Sequence, residues 1–352
     1  MVKEIIGKME ENKKEKFSYS KLDTYNSCGW KYKLKYIDKN FVDSDLIAAD
    51  FGTLVHYIEE TIANDIIANN HEPHFMLDDQ KYIDLFINVD IANEKETILG
   101  IKKIKEKYPK DFYVEDKSGM DYAEKANHYL NFGIYRLRDY LAENRHMQII
   151  AIEQPFEIEY NGFLFHGFID RVFRNTLTGE IIVEDIKTWW TIDKHELTTP
   201  LQFVLYTKAA QEIYKTENIR CFYDLPLAKN RYQAGTKGFI KRGFKKIDAL
   251  LESIGADIFI PKPSPLCAWC PYSPTNPNHI EKEEALCPYH SNYTKKRRDF
   301  SVNYIWADIE NHAVIQEDFL NKRRAILQPI MVENTNLRDE NSSRRIFLGR
   351  RE

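Results

Sequence analysis

Phe163-Leu-Phe-His-Gly-Phe-Ile-Asp170-Arg-Val-Phe-Arg-Asn175-Thr-Leu-Thr-Gly179-Glu-Ile-Ile-Val-Glu-Asp185-Ile-Lys187 is the stretch on which the fold turns. Two runs rich in β-branched and aromatic residues, Phe163 to Arg174 and Glu180 to Lys187, flank a turn at Thr176-Leu177-Thr178-Gly179. In an antiparallel hairpin centred between positions 177 and 178, opposed residues have numbers summing to 355, as Asp170 and Asp185 do. Their Cβ atoms then lie about 5 Å apart on one face. Like charges directly opposed repel, and a divalent cation held by both reverses the sign of that interaction. Magnesium and manganese suit such an oxygen site. Lys187 lies two residues beyond Asp185 and shares its face. There its ammonium orients a water and stabilises charge developing on a phosphate. A plain surface hairpin with scattered charges is the alternative.

Outward from the hairpin, Ile149 to Tyr160 reads as a preceding strand joined through Asn161-Gly162, a strong hairpin turn. Thr199-Pro200 opens a helix to about Tyr214, the threonine as N-cap and the proline in the first turn. Ile219 to Leu227 returns to strand, and Lys245 to Ile254 is an amphipathic helix. Upstream, Phe17 to Asp38 has helical spacing. Asp50 to Asn70 is a helix whose stripe is Phe51, Leu54, Val55, Ile58, Ile62 and Ile66. Residues 71–147 read as a helical insertion. Helix, meander, helix and strand give an α/β sheet with helices packed on it. The first sixteen residues read as a tail or frayed helix, and 301–352 as a polar C-terminal tail.

Several polar residues are set at spacings that bring them together. Gly52 and His56 are one helical turn apart beside the apolar stripe, as are Gln202 and Tyr206 on the later helix. A close backbone approach is the expected compensation for a glycine inside a helix. Glu153 is either a third carboxylate near Asp170 and Asp185 or an edge charge. Cys267-Ala-Trp-Cys270 has metal-clip spacing, Cys287 follows, and Cys28 stands near the N-terminus. Four thiolates at 28, 267, 270 and 287 suit an iron–sulfur cluster or zinc. His279 and His290 keep zinc in view. Cys221 falls in a strand.

The 352 residues carry a net charge of −4, which does not advertise a nucleic-acid binder. Between Leu225 and Ile247, however, no acidic residue occurs while Lys229, Arg231, Lys237, Lys241, Arg242, Lys245 and Lys246 do. They form a candidate path for DNA phosphates, or else a solvated face. A second basic run is Lys295 to Arg298. With 43% apolar and 13% aromatic residues the chain can bury a sizeable core, so wholesale disorder is excluded. No membrane-length apolar run and no secretion signal are visible, so a cytoplasmic protein is expected, in the host cytoplasm if phage-encoded.

Taken together, these residues resemble the RecB/AddB-type PD-(D/E)XK nucleases, and most of all their iron–sulfur branch of CRISPR-associated and phage exonucleases. The family's opening matches in Ser18 to Cys28, with Gly29 where a proline is usual. Its G-x-x-x-H matches Gly52 to His56, and its G-x-[IV]-D-R matches Gly167 to Arg171. Its (D/E)-x-K matches Asp185 to Lys187, and its Q-x-x-x-Y matches Gln202 to Tyr206. The resemblance implies a restriction-endonuclease-like core, a mixed sheet flanked by helices, with the helical insertion and a cysteine clasp. One nuclease domain over 1–300 would comprise an N-terminal segment at 17–70, the insertion at 71–147, the core at 148–247 and the clasp at 248–300. His56, Asp170 and Asp185 would ligate Mg2+ or Mn2+, and Lys187 would assist the attacking water. Gln202 and Tyr206 would position the site. Cys28, Cys267, Cys270 and Cys287 would bind a 4Fe-4S cluster, although sixteen residues separate Cys270 from Cys287, more than the family's usual gap.

The expected activity is that of a DNA exonuclease in phage or bacterial recombination, repair or replication. The chain has no P-loop, so unwinding would fall to a partner helicase or recombination protein. A catalytically silent DNA-binding scaffold and a CRISPR spacer-acquisition nuclease are the competing readings.

Overall fold

The structure, a computed structural model, describes residues 16–42, 46–70, 77–93, 96–116, 118–273 and 286–287. The expectations for the first fifteen residues, Lys295 to Arg298, His279, His290 and 301–352 lie outside these. Two compact units divide the chain, Met1–Leu22 with Ser44–Ala249, and Asp23–Asp43 with Leu250–Glu352.

The larger unit holds a mixed six-stranded sheet. A short strand β1 (Lys16–Phe17) precedes helix α1 (Tyr19–Ser27), whose start is capped by Ser18 Oγ accepting from Lys21 N at 3.2 Å. The remaining strands are β4 (Met147–Tyr160), β5 (Phe163–Asn175), β6 (Ile181–Ile186), β7 (Ile219–Leu225) and β8 (Asn230–Ala234). β5 pairs antiparallel with β4 along its length, parallel with β1 near its start and antiparallel with β6 near its end. β7 runs parallel to β6, and β8 antiparallel to β7. The β4–β5 link is the two-residue turn expected, with Asn161 at φ 48° and Gly162 at φ 81°, the left-handed pair a type I′ hairpin needs. Across β5 and β6, Arg171 faces Glu184 and Val172 faces Val183, which is the register read from the turn.

The long helix α3 (Ile47–Ala68) buries Phe51, Leu54, Val55, Ile58, Ile62 and Ile66, the stripe its 3.6-residue spacing prescribes. It follows α2 (Gly29–Tyr32), a single turn of the smaller unit. The insertion packs on α3 through Tyr82, Phe86, Ile104, Phe112, Tyr129 and Leu137, which share its hydrophobic core. It contains α4 (Asp79–Asn88), α5 (Ile101–Lys107), α6 (Tyr122–Asn131) and α7 (Arg136–Glu143). It also contains a hairpin, β2 (Asp90–Ala92) with β3 (Thr97–Leu99), that a purely helical reading missed. Three residues per strand are too few for alternation to stand out.

Three further boundaries differ from expectation. Helix α9 (Leu201–Tyr214), preceded by the short α8 (Lys194–Thr198), has Pro200 rather than Thr199 as its N-cap. Strand β8 is not marked in the sequence, since its five residues, Asn-Arg-Tyr-Gln-Ala, are mostly polar. Helix α10 (Phe239–Gly255) starts six residues before Lys245. At Gly243 an added Cβ would lie 2.1 Å from Val204 Cγ2, so only glycine lets α10 approach α9. Among the described residues no helix is long and apolar enough to cross a membrane.

Candidate metal and nuclease site

Residue alternation along β5 and β6 sends Asp170 and Asp185 to one face and their neighbours Arg171 and Glu184 to the other. On the first face, Asp170 Oδ2 accepts a hydrogen bond from Ile186 N at 2.7 Å. His56, reaching in from α3, places Nε2 2.9 Å from Ile186 O. A carbonyl oxygen can only accept, so Nε2 donates to it, and Nδ1 is the ring atom turned to the site. Nδ1 lies 3.7 Å from Asp170 Oδ2. Glu153 completes the group: one ligand atom each from His56, Glu153 and Asp170 lies within 4.8 Å of the others.

Glu153 is held there by an irregularity in β4. The ladder pairs Ile152 with Arg171 and Gln154 with Ile169 but not Glu153 with the intervening Asp170. Its φ of 44° is a left-handed value that is rare for a non-glycine residue and costs about 1–3 kcal/mol. The open choice at Glu153 thus resolves toward a carboxylate beside Asp170 and not an edge charge. Burial, with Asp170 next, pushes its carboxyl up to about 7.

Asp185 is buried. Its Oδ1 accepts from Gln202 Nε2 at 2.7 Å, and Gln202 Nε2 also lies 2.8 Å from the Tyr206 hydroxyl. The Lys187 ammonium sits 2.7 Å from Asp185 Oδ2 and 3.5 Å from Gln202 Oε1. Burial raises Asp185 to about 6 against the opposing pull of Lys187. The structure therefore brings together His56, Asp170, Asp185, Lys187, Gln202 and Tyr206, the six residues picked out by spacing. Gly52 does not make the close approach expected of it, since an added Cβ would meet only Thr188 Oγ1, at 3.8 Å.

The opposite face holds what sequence reasoning missed. Arg171, fully buried, donates to Glu184 Oε2 (2.9 Å), Glu59 Oε2 (3.1 Å) and Asp224 Oδ2 (2.6 Å). Arg136 pairs with Asp224, Arg231 with Glu184, and Tyr129 donates to Glu59 at 3.0 Å. Three arginines thus meet three carboxylates beneath the two aspartates. The signal was available: Arg171 and Glu184 also sum to 355.

This network corrects one assignment. Arg231 lies on β8 with its side chain 16% exposed and its guanidinium on Glu184, so it is not presented to DNA. Of the other basic residues, Lys229 lies over the Phe132 ring at 3.2 Å. Lys237, Lys241, Arg242, Lys245 and Lys246 are exposed. Arg242 also ties the preceding loops together through Thr199 Oγ1, Thr236 Oγ1 and the carbonyls of Thr198 and Lys237.

In the smaller unit, Cys28, Cys267, Cys270 and Cys287 line one pocket. Cys28 Sγ accepts from Lys262 N and Cys267 Sγ from Ser264 N, each at 3.4 Å. Cys287 N donates to Tyr272 O at 3.0 Å, which returns it beside Cys270 despite the long gap. At Gly29 an added Cβ would lie 2.7 Å from Ile260 N, so the residue after Cys28 has no room for a side chain. Cys221 stands apart, buried on β7 and bonded to Thr207, with burial pushing its thiol up to about 12.

The chain matches the sequence model of the PD-(D/E)XK nuclease superfamily over residues 16–275. It belongs to that superfamily. Its members are metal-dependent nucleases, and the His56–Glu153–Asp170 group is one that could hold a metal ion. No curated protein matches the chain. A solved structure described as "Crystal structure of SSO0001" is 14% identical, with 77% of this chain and 91% of that one covered and a TM-score of 0.30.

Proposed function

We propose that the protein is a DNA exonuclease that hydrolyses phosphodiester bonds at the Asp170–Asp185–Lys187 site. The observation that carries this is the convergence of His56, Glu153 and Asp170, their ligand atoms within 4.8 Å of one another, with Lys187 and a second buried carboxylate alongside. His56, Asp170 and Asp185, joined by Glu153, would hold Mg2+ or Mn2+. When bound, such an ion supplies Lewis acidity toward a phosphate oxygen and makes water a stronger nucleophile. Lys187 holds the attacking water and offsets charge growing on the phosphate. Gln202 fixes the Asp185 carboxylate, and Tyr206 fixes Gln202. The exposed lysines at 237, 241, 245 and 246, with Arg242, offer phosphate contacts that do not read sequence. A silent scaffold is disfavoured because no member of the acid–lysine set is missing. Phage or bacterial recombination, repair or replication is the setting proposed, with a helicase supplied by a partner. End-labelled single-stranded and duplex DNA incubated with Mg2+, Mn2+ or EDTA tests the activity. Release of nucleotides from ends in either metal and none in EDTA is expected; intact DNA in all three rules the reading out.

We further propose that the four cysteines bind a 4Fe-4S cluster. All four line one pocket, and four thiolates suit such a cluster. Backbone N–H groups of Lys262 and Ser264 donate to the Cys28 and Cys267 sulfurs, the kind of hydrogen bond that cluster-ligating sulfurs accept. Protein purified without oxygen should be brown with about four irons per chain, and Cys28→Ala should lose the colour and melt lower. One zinc in a colourless protein would overturn the iron assignment, and an unchanged Cys28→Ala protein would remove the clasp.

A further inference from the structure

The larger unit holds a cavity of about 290 Å³ whose lining residues all lie outside the nuclease site. One face of α7 forms its wall: Arg136, Asp139, Tyr140 and Glu143 recur at helical spacing and all line it. Phe132 and Tyr135, just before α7, and Lys229, in the turn between β7 and β8, also line it. The Lys229 ammonium lies over the Phe132 ring at 3.2 Å. Arg136 makes one hydrogen bond among the described residues, to Asp224, so most of its five N–H donors have no protein partner there. Cationic groups thus gather at the start of α7, and Asp139 and Glu143 follow about one and two turns along it. Arg138 and Arg231 cover one face each of Tyr135 and Tyr140, at 5.1 and 4.4 Å. Neither arginine lines the cavity, which therefore meets the uncovered side of each ring.

We propose that this cavity binds a nucleoside monophosphate, its phosphate on Arg136 and Lys229 and its base against Tyr135 and Tyr140. The charge layout selects this class. A phosphate suits the cationic end, where a guanidinium and an ammonium give charge-assisted hydrogen bonds. The sugar hydroxyl and the base N–H groups are donors, and Asp139 and Glu143 are acceptors for them. A cationic ligand would meet two positive charges, and Lys229 already takes a face of Phe132. A DNA strand running through would bring its phosphates past both acids, which repel them. The volume is at the lower end of the range for small-molecule sites, roughly 300–1,000 Å³, which suits one nucleotide. Arg136 also grips Asp224, which Arg171 holds beneath the two aspartates, so the cavity and the buried network share a residue. Binding here needs no DNA cleavage, and the proposal is independent of the nuclease reading.

The test is calorimetric titration of the full chain with deoxyadenosine monophosphate in EDTA, with inorganic phosphate, deoxyadenosine and a short oligothymidylate as comparators. The nucleotide should bind, and phosphate or deoxyadenosine alone should bind at least about ten-fold more weakly, since each lacks half of the contacts. Lys229→Ala and Tyr135→Ala should each weaken nucleotide binding about ten-fold, the first through the phosphate and the second through the base. Lys229→Arg should keep most of it, because a guanidinium still pairs with a phosphate. Lys229 is exposed, so its variants keep the fold. No nucleotide binding, wild-type binding by both alanine variants, or phosphate alone binding as tightly as the nucleotide would each overturn the proposal. Binding lost in Lys187→Ala but kept in Lys229→Ala would put the nucleotide at the nuclease site instead. Oligothymidylate binding that falls as far as nucleotide binding in Lys229→Ala would make the cavity part of a strand path and overturn the mononucleotide. Nucleotide binding as expected in a protein that cleaves nothing in Mg2+ or Mn2+ leaves the proposal standing and removes only the nuclease reading.

Discussion

Asp185→Asn is expected to lower DNA cleavage about a thousand-fold, because the ion it would help to hold contributes several kcal/mol to the transition state. Lys187→Ala should do the same by removing the ammonium beside the attacking water. Binding of oligothymidylate should stay within a few fold for both, since most phosphate contacts lie elsewhere. A thermal melt separates loss of the ion from loss of fold. With Asp185 near 6 and Glu153 near 7, both carboxyls are protonated at pH 5.5 and charged at pH 8. A carboxyl raised above its unfolded value makes the native state bind the extra proton. The ion-free protein therefore loses stability as pH climbs from about 4 to 7. An ion that needs charged carboxylates restores it, so Mn2+ should raise Tm more at pH 8 than at pH 5.5. Asp185→Asn should shrink that rise. Cleavage at near wild-type rate by either variant would remove the proposed site, and an equal Mn2+ effect at both pH values would remove its carboxylates from metal binding.

Arg171→Leu should cost about 3–5 kcal/mol of stability, the usual result of deleting one partner from a buried ionic network. Arg171 is the only one of the three arginines that touches all three carboxylates. Without it, Arg136 and Arg231 are left to offset Glu59, Glu184 and Asp224, and one negative charge stays uncompensated in the interior. Burial pushes the Glu59 carboxyl up even with the arginine present, which shows how little spare compensation there is. Arg171→Lys should recover only part of the loss. A single ammonium lacks the planar fork that reaches three acids in different directions. Chemical denaturation reads the outcome directly: a loss below about 1 kcal/mol would mean the network relaxes or hydrates, against its complete burial.

The two predictions concern adjacent residues on opposite sides of the same strands, and they mark what could and could not be read from the chain. Much of the local pattern was legible. The turn at 176–179 sets the register of β5 on β6, because a hairpin's loop length leaves one pairing, and that puts Asp170 and Asp185 just beyond the Arg171–Glu184 pair. The 3.6-residue repeat put His56 at the edge of the buried stripe of α3, and the same spacing put Gln202 below Tyr206. The motif order then pointed to the superfamily that residues 16–275 match.

What only the tertiary structure decided are the contacts between elements far apart in sequence. Nothing near Glu153 indicates that its backbone turns left-handed beside Asp170, because that conformation interrupts a β4–β5 ladder whose register is the same on either side of it. Arg231 looked like one more cation in a basic run. It is instead drawn into the interior by Glu184, forty-seven residues earlier, since a buried acid demands a partner more strongly than a solvated lysine-rich surface needs another charge. The orientation of the His56 ring depends in turn on a carbonyl one hundred and thirty residues away. Sequence alone determined which groups are available and on which face of its own element each lies. Folding decided which of them meet, because desolvation and repulsion act only once distant strands have closed on one another.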